Sequence, residues 1–296
     1  MHKYLIVTAD DFGLDQAVNE AVQQAATTGV LTAASLMVAA PATEDAVRRA
    51  QQIPQLRVGL HLTLADGWSV LPRARIPALV DAEGRFGNRM FVDGVRFFAL
   101  PEVRRQLRAE IRAQFEAYAR TGLPLDHVNA HKHFHLHPTL LGMILSIGRE
   151  FNLPAVRVPY EPLWFASRAG VIAAPVSAAF LSPWVGLMKK RLRGSGILHN
   201  DRVFGIACSG ALNERTLLEI LARLPRGVTE IYLHPATATD KPLQPTMRHY
   251  AHAEELAALT SPRVRAALLQ TRAICGGYGD LPRIQTRASS GESAVQ

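Results

Sequence analysis

Cysteine is scarce in this 296-residue chain, which contains only Cys208 and Cys275. Their separation fits no disulfide framework or metal-binding spacing, so we interpret them as the reduced thiols of a cytoplasmic protein. A charged amino-terminal region followed by an apolar core and a cleavage site is also missing, and we therefore expect no cleavable export signal. The expected location is the cytoplasm, with peripheral association at the inner membrane as a further hypothesis.

The sequence also lacks the patterns of common nucleic-acid-binding modules: it has no helix-turn-helix, zinc-finger or RNP pattern. The chain is nevertheless basic, with a net charge of +8, and residues 141–200 contain seven basic residues against two glutamates. A basic surface can bind nucleic acid, anionic lipid or an acidic substrate. Because no recognition module accompanies the charge, we expect no nucleic-acid partner.

Charged residues make up only 20% of the chain and hydrophobic residues 48%, which is typical of a globular core and excludes a disordered protein. Short apolar runs alternate with amphipathic helical patterns along the chain. Strands are predicted at KYLIVTADD, ASLMVA, RVGLHLTL, DHVNAHKHFHLH, AVRVP, VFGIAC and TEIYLHP. Repeated β-α units predict a parallel sheet, in which functional residues lie at the carboxyl ends of the strands.

Two segments interrupt this alternation. Residues 66–100 are too long for a simple connection and are predicted to form a lid or substrate loop. Residues 160–198 form an apolar and basic insertion, and its uncharged part has the length of a bilayer span, although two prolines and two serines weaken that interpretation. We expect a single domain over residues 1–282 and a disordered tail over residues 283–296.

Five of the eleven histidines lie in one short segment, HVNAHKHFHLHP, which covers residues 127–138. If this segment is a strand, His131, His133 and His135 share one face. Asn129 then falls in the same register, as does the first histidine of the segment. Such histidines are often simply hydrogen-bonded or exposed, but the HxHxH spacing favours a metal-binding surface, because neutral imidazole is a common metal ligand.

Acidic residues and histidines also follow three other predicted strands. Asp10 and Asp11 end the first strand in TADDFG, His61 ends the third in GLHLTL, and His234 ends the last in YLHPA. Taken singly, each has an ordinary explanation: an aspartate at a helix start, a hydrogen-bonded core histidine or a strand terminus. Together they lie where the ends of parallel strands meet, and this predicts one shared site.

The motifs TADDFG, GLHLTL, HVNAHKHFHLH and YLHPA resemble, in order and spacing, those of the YdjC/ChbG-type carbohydrate deacetylases over about residues 3–275. The stretches GVLTAASLMVAAPATEDAV and HVNAHKHFHLHP are most similar to the hopanoid biosynthesis-associated branch, HpnK. The resemblance implies an α/β fold, a distorted TIM-like (β/α) barrel with parallel strands and inserted loops. It also implies one divalent metal ion and hydrolysis of N-acetyl groups on amino sugars.

Carried over residue by residue, the resemblance makes Asp11, His61 and His131 the metal ligands. Asp10 becomes the general base, and His234 the general acid or an oxyanion partner. Amide hydrolysis needs an activated water, a polarised carbonyl and a proton for the leaving amine, and this set can supply all three. One carboxylate oxygen and two imidazole nitrogens suit Zn²⁺, Co²⁺, Mn²⁺ or Mg²⁺, and the sequence does not choose among them.

His133, His135 and Asn129 are further candidates for metal or substrate contact. His133 is also the second choice, after His131, for the histidine ligand that this segment provides. The chain departs from the family pattern at two positions. It has Asn129 where many relatives have aspartate, and His252 where relatives often have arginine.

The branch resemblance indicates the N-acetylglucosaminyl headgroup of a hopanoid lipid as the substrate. Three alternatives stay open: a deacetylase of soluble chitooligosaccharides, a metal-dependent phosphoester hydrolase, and a non-catalytic lipid- or sugar-binding protein. A two-metal phosphoester hydrolase usually needs more carboxylates than these strand ends offer. A protein that only binds metal has no need for Asp10 beside Asp11.

The insertion contains tryptophans beside a basic run, which is typical of an interfacial membrane anchor. The candidate membrane-contact residues are Trp164, Trp184, Lys189, Lys190, Arg191 and Arg193. The alternative is that the insertion forms two helices packed on the barrel, with the basic run as a solvated face. A homodimer is a further open hypothesis.

Overall fold

The computed structural model of the chain describes residues 2–166, 174–237 and 242–281. The predicted tail 283–296 and residues 167–173 of the predicted insertion lie outside the described residues. The described residues build a seven-stranded sheet in which all strand pairs are parallel. Its strands are β1 (Lys3–Phe12), β2 (Ala33–Leu36), β3 (Arg57–Leu62), β4 (Val128–Ala130), β5 (Arg202–Phe204), β6 (Gly227–Leu233) and β7 (Ile274–Cys275).

The sheet curls into a barrel around β1. Its order is β4-β3-β2-β1-β6-β5, and β7 pairs with the first residues of β1. Two isolated parallel bridges, Val128 with Val156 and Ala155 with Leu198, connect β4 to the segment that leads into β5. The predicted strand at AVRVP is reduced to these bridges. The predicted parallel α/β fold with a distorted TIM-like barrel is therefore confirmed.

Helices follow the strands and cover the outside of the barrel. They are α1 (Gln16–Thr28), α2 (Thr43–Gln51), α3 (Met90–Ala99), α4 (Pro101–Arg120), α5 (Pro138–Gly148), α6 (Leu163–Ala166), α7 (Ala174–Gly194), α8 (Glu214–Ala222), α9 (His252–Thr260) and α10 (Pro262–Thr271). Pro101 occupies the first turn of α4, where a missing backbone N–H is tolerated. The apolar stripe of α4 is buried, and this fixes the position of the chain where it leads from α4 into β4.

The histidine-rich segment is not the long strand that its sequence predicts. β4 ends at Ala130, and a 3₁₀ turn follows over His131–Leu136. Lys132 and His133 have left-handed backbones, with φ of 55° and 56°. Two consecutive residues of this kind turn the chain sharply, so the alternation of a strand is lost. The prediction that the HxHxH histidines share one strand face is therefore wrong.

The long segment between β3 and α4 is anchored at its beginning and ends in a helix. The backbone N–H groups of Val70 and Leu71 donate to the buried carboxylate of Glu110 on α4, at 2.8 and 2.9 Å. The segment then continues into α3, which exposes several large apolar side chains. Its predicted role as a lid or substrate loop stays a prediction.

The described parts of the insertion contain α6 and the longer α7, which contact each other. Pro183 lies inside α7, while Val185, Met188 and Leu192 are buried against the rest of the protein. Among the described residues, no helix combines the length and the apolar character needed to span a bilayer.

Candidate metal centre

The carboxyl end of β1 carries two adjacent aspartates that face different partners. Asp11 has a left-handed backbone, with φ of 63°, at an irregularity in the pairing of β1 with β2. Aspartate tolerates this conformation better than most residues. Asp11 contacts His61 and His131, whereas Asp10 contacts Arg157. One strand end therefore supplies carboxylates to two separate parts of the site.

Asp11, His61 and His131 form a compact buried cluster. Oδ1 of Asp11 lies 2.9 Å from Nδ1 of His131 and 3.2 Å from Nε2 of His61, and these two nitrogens are 3.3 Å apart. Donor atoms around a tetrahedral ion with bonds of about 2.1 Å lie about 3.4 Å apart, so the triangle is close to the size that such an ion needs. The three residues predicted as ligands are brought together.

An unsatisfied polar atom in the cluster also fits a metal ion. Oδ2 of Asp11 is buried without a hydrogen-bond partner among the described residues, which is costly unless another group contacts it. Burial alone would raise the pKa of Asp11, but His131 and His61 hold that pKa well below the ordinary carboxyl value. Asp11 is therefore ionised at neutral pH, as a metal ligand must be. The cluster can hold a divalent metal ion.

Asn129, at the middle of β4, orients His61. Its Oδ1 accepts a hydrogen bond from Nδ1 of His61 at 2.6 Å, and its Nδ2 donates to Asp10 at 3.1 Å and to Ser35 at 2.9 Å. Because a carboxylate only accepts, the atom facing Asp10 must be the amide nitrogen. Nδ1 of His61 therefore carries a proton, and in the neutral ring the lone pair of Nε2 faces the cluster.

A buried arginine holds Asp10. Nη1 and Nη2 of Arg157 donate to the two carboxylate oxygens of Asp10 at 2.5 and 3.0 Å, and Nε and Nη2 donate to Glu230, each at 2.8 Å. Arg157 is 0% exposed. Burial opposes ionisation of Asp10, but the Arg157 charge outweighs it and holds the pKa of Asp10 well below its ordinary value. Asp10 is thus a permanently ionised but weak proton acceptor beside the cluster.

His234 lies beside the cluster, with its Nε2 4.0 Å from Oδ2 of Asp11. Glu255 accepts a hydrogen bond from the backbone N–H of His234 at 2.5 Å, and Nδ1 of His252 lies 2.6 Å from its carbonyl oxygen. Burial lowers the pKa of His234 to about 4, although Asp11 acts in the opposite direction. The imidazole is therefore neutral at pH 7, and it can donate an extra proton only after taking one up.

Two other histidines of the segment have partners outside the cluster. Nε2 of His133 lies 3.0 Å from the hydroxyl of Tyr232, and Nε2 of His135 lies 3.0 Å from the carbonyl oxygen of Arg157. Burial lowers the pKa of His135 to about 3. Within the described ranges, His131 is the member of the HxHxH set that belongs to a group able to hold a metal ion. Metal or substrate contact by His133 and His135 stays a prediction.

The cluster faces a pocket of about 260 Å³ at the carboxyl ends of the strands. The polar residues that line it include Asp10, His61, His131, Lys132, His133, Ser209, Tyr232, His234, Thr246 and Tyr250. Asp66 connects three segments of its rim. Its carboxylate accepts hydrogen bonds from Nζ of Lys132, at 2.8 Å, and from the hydroxyl of Thr246, while its backbone carbonyl accepts from Gln244 at 3.0 Å.

Two of the predicted membrane-contact residues have partners within the fold. Trp164 packs against Phe165 and Phe204, and Nζ of Lys189 donates to the backbone carbonyl of Asp201 at 2.7 Å. Trp164 is nevertheless exposed, as are Trp184, Lys190, Arg191 and Arg193. Contact between these residues and a membrane stays a prediction.

Arg157, Glu230 and Glu255 are fully buried charged residues that the sequence reasoning missed. Arg157 and Glu230 interrupt the apolar strand patterns AVRVP and TEIYL. A lone charge in such a pattern needs a buried partner of opposite sign, so these two could have been paired in advance. Glu255 gives no comparable signal, because a glutamate near the start of a helix such as α9 is ordinary.

Fold and site together define an α/β barrel protein with a buried Asp-His-His cluster and a second, arginine-held aspartate at the carboxyl ends of its strands. The family model described as "YdjC-like protein" matches residues 4–270, and the chain belongs to this family. The resemblance drawn from the sequence motifs is therefore confirmed for the family. Its assignment to the hopanoid-associated branch stays a prediction.

The chain is similar to a carbohydrate deacetylase from Brevibacillus brevis, with 40% identity over 158 residues, which cover 53% of this chain and 59% of the relative. It thus spans less than two thirds of that relative. A chitooligosaccharide deacetylase from Proteus mirabilis is 27% identical over 290 residues, which cover 95% of this chain and all of the relative (100%). A crystal structure from Enterococcus faecalis V583, provisionally described as a cellobiose-phosphate cleavage protein, shares the fold, with a TM-score of 0.72 and 24% identity over 95% of this chain and 99% of that chain.

Proposed function

We propose that the protein is a metal-dependent hydrolase that removes an N-acetyl group from an amino sugar. The observation that carries the proposal is the triangle of Asp11, His61 and His131 beside Asp10, in a pocket at the carboxyl ends of the strands. The names of the relatives as carbohydrate and chitooligosaccharide deacetylases agree with this reaction.

Asp11, His61 and His131 would hold one divalent ion, with Zn²⁺, Co²⁺, Mn²⁺ and Mg²⁺ as candidates. Such an ion supplies Lewis-acid polarisation of the acetyl carbonyl and lowers the pKa of water. Asn129 supports this role, because it fixes the tautomer of His61 that presents Nε2 to the cluster.

Asp10 is the proposed acceptor of the proton that the attacking water loses. Arg157 and Asn129 donate to its carboxylate and fix its position, and Arg157 keeps it ionised over the physiological range. Because its low pKa makes Asp10 a weak base, this role depends on an ion that would lower the pKa of the attacking water.

His234 is the proposed hydrogen-bond donor to the developing oxyanion or, after it takes up a proton, the acid for the leaving nitrogen. Its neutral state at pH 7 favours the first role at the start of the reaction. Glu255 accepts a hydrogen bond from the backbone N–H of His234, and His252 contacts the backbone carbonyl oxygen of His234. These contacts limit the positions that the imidazole ring of His234 can adopt.

For the substrate, we propose an N-acetylglucosaminyl group linked to a lipid, with the hopanoid lipid of the resembling branch as the specific candidate. An apolar groove of about 520 Å³ shares Lys132 and His133 with the catalytic pocket, so an apolar group attached to the sugar has a place to bind. Soluble chitooligosaccharides are the second candidate, because a relative aligned over its full length is named for that substrate.

The phosphoester-hydrolase and binding-protein alternatives have less support. The described cluster contains one carboxylate, whereas two-metal sites typically bridge their ions with several. A protein that only binds a sugar has no use for a second carboxylate held in place by a buried arginine. Peripheral contact with a membrane and formation of a homodimer remain proposals of their own.

The test measures acetate release from N-acetylglucosaminyl substrates, soluble and lipid-linked, before and after treatment with a chelator. We expect release that the chelator abolishes and that an added divalent ion restores. Asp11→Asn should release no acetate under any of these conditions. Acetate release that survives complete metal removal, or turnover of a phosphoester in place of the amide, would overturn the proposal.

A further inference from the structure

Helix α3 exposes an apolar stripe to solvent. Phe91, Val95 and Phe98 are 85%, 53% and 66% exposed, and their spacing of four and three residues places them on one helix face. We call these three residues the α3 ridge. The opposite side of α3 is fixed to the fold, since Phe97 is buried and packs on Phe134 with ring centroids 5.2 Å apart. The ridge is therefore held outward on an anchored helix.

The α3 ridge forms one wall of the apolar groove that adjoins the catalytic pocket. Leu136 and Trp184 contribute to the other walls. Apolar side chains exposed in a contiguous group mark interaction sites more often than isolated ones do. Because the groove and the catalytic pocket share Lys132 and His133, a partner that covers the ridge also lies next to the pocket.

A cleft lined by arginines continues from this groove. It is formed by α4, α5 and α7, has a volume of about 920 Å³, and contains Arg104, Arg105, Arg108, Arg149 and Arg191. Arg105 is paired with Glu102. The other four form no ion pair with any residue in the described ranges. We call this feature the arginine cleft, and its net charge is positive.

The ridge and the cleft form one continuous surface. Only Leu100 separates the end of α3 from the start of α4, which carries Arg104 and Arg108. On α7, Trp184 and Arg191 are seven residues apart, so they lie on the same side of the helix about 10 Å from each other. His137, which lines the groove, is followed directly by Pro138, which lines the cleft.

We propose that the α3 ridge and the arginine cleft together dock the protein on the surface of an anionic lipid bilayer. Exposed aromatic side chains can enter the region between headgroups and acyl chains, while arginines bind the phosphates beside it. A soluble polyanion would use the cleft but leave the ridge in water. A second copy of this chain would place two clefts of the same charge close together, which disfavours a symmetric dimer.

This inference concerns binding alone and does not rest on the proposed activity. Trp184 and Arg191 were expected at a membrane from the sequence, but the ridge on α3 and the arginines of α4 and α5 were not. In the docked orientation, the shared rim at Lys132 and His133 lies near the lipid surface. The catalytic pocket then opens toward headgroups rather than toward bulk solvent.

The experiment measures partition of the full chain onto phosphatidylcholine vesicles with and without phosphatidylglycerol, by co-sedimentation at low and high salt. We expect binding that needs phosphatidylglycerol and weakens with salt. Phe91→Ser with Phe98→Ser should lower the partition coefficient on the order of tenfold or more. Arg104→Ser with Arg108→Ser should lower it about fivefold per cation and flatten the salt dependence.

Matched controls separate this surface from a general effect of charge or hydrophobicity. Leu269→Ser removes another highly exposed apolar side chain, on α10, and Arg120→Ser with Arg226→Ser removes two exposed arginines elsewhere. Both controls should bind vesicles like the parent, and circular dichroism should show that all variants are folded.

Three results would overturn the proposal. One is absence of parent binding to phosphatidylglycerol vesicles at low salt. Another is equal loss in the control variants, which would indicate nonspecific adsorption of a basic protein. The last is a concentration-dependent dimer in sedimentation velocity that the Phe91→Ser, Phe98→Ser variant abolishes, which would assign the ridge to a second copy of this chain.

Discussion

Arg157 donates a hydrogen bond to each carboxylate oxygen of Asp10, at 2.5 and 3.0 Å, while the same guanidinium also binds Glu230. One buried cation thus lies between two buried anions. Tyr278 contributes a further hydrogen bond to Glu230 at 2.6 Å. The proposed base, Asp10, is therefore part of a charged network that extends from the pocket into the barrel interior. The position of Asp10 thus depends on residues that do not contact the substrate.

Removing Arg157 should destabilise the fold and disturb the base together. Arg157→Met leaves Asp10 and Glu230 buried without their cation, and loss of one partner from a buried ion pair typically costs about 3–5 kcal/mol. Urea unfolding of the purified variant measures the change in the free energy of unfolding. Arg112→Met is the matched control, because its ion pair with Glu150 is exposed, and it should change stability little. Comparable stability of both variants would contradict the network.

Asp10 and Asp11 should fail in different ways. Asp11→Asn removes a ligand charge and should lose bound metal, as measured by elemental analysis of the purified protein. Asp10→Asn leaves the three ligand residues in place and should keep its metal, but it removes the proton acceptor and should lower turnover on the order of 10²–10⁴-fold. It also removes one of the two anions that contact Arg157, so some loss of stability is expected as well. If both variants retain metal and comparable acetate release, the assigned roles are wrong.

Asn129→Asp should make stability depend on pH. The aspartate could still accept from His61, but it would place a second carboxylate where Asn129 now donates to Asp10 at 3.1 Å. Repulsion raises the pKa of one of the two carboxyls in the folded state. A raised carboxyl pKa destabilises the fold increasingly as pH rises above the unfolded value of about 4. Between about pH 5 and about pH 8, the free energy of unfolding of the variant should therefore fall relative to that of the parent, by roughly 1–3 kcal/mol.

Asn129→Ala provides the comparison for that variant. It loses all three hydrogen bonds of Asn129, including the one from His61, but adds no charge. Its deficit in the free energy of unfolding should therefore change much less with pH. Both measurements use urea unfolding of chelator-treated protein. An Asn129→Asp deficit that stays constant over this pH range would show that the two side chains do not interact as the structure indicates.

His234 should make the metal-free protein sensitive to mild acid. Burial lowers its pKa to about 4, below the value of about 6.5 expected in the unfolded chain. Between these two pKa values, His234 binds a proton in the unfolded state but not in the folded state. The free energy of unfolding therefore falls as pH drops from about 6.5 to about 4. His234→Gln should remove part of this loss, on the order of 1–3 kcal/mol. His249→Gln, at an exposed position, is the control and should lose stability with acid as the parent does.

The parallel barrel and the position of its site could be predicted because strand and helix periodicities are strong in this chain, and strand ends carry Asp10, Asp11, His61 and His234. The path of the chain after Ala130 could not be predicted from the sequence. The HxHxH pattern alternates as a strand does, and no glycine marks the left-handed turn at Lys132 and His133. His131 still reaches Asp11, because it is the first residue after the strand and precedes the two residues with left-handed backbones.

The contacts around Asn129 were also beyond sequence reasoning, for a different reason. Register pairs Asn129 with His61 across β3 and β4, but whether an amide accepts from a histidine or donates to an aspartate depends on side-chain angles. The role of Arg157 could in principle have been predicted from the sequence, since a single arginine in an apolar strand needs buried acceptors. The exposure of the ridge on α3 could not have been predicted, because its apolar residues match those of an ordinary buried helix.

Asp66 binds Lys132 and Thr246 with one carboxylate and Gln244 through its backbone, and it thereby couples segments that are far apart in the sequence. The entrance of the pocket cannot widen at one of these segments without loosening the others. Relatives that accept sugars of different bulk are thus expected to vary at positions 66, 132 and 246 as a set. Engineering a broader entrance would require exchanging these positions jointly, since a single replacement would leave a charge or a hydroxyl at the rim without its partner.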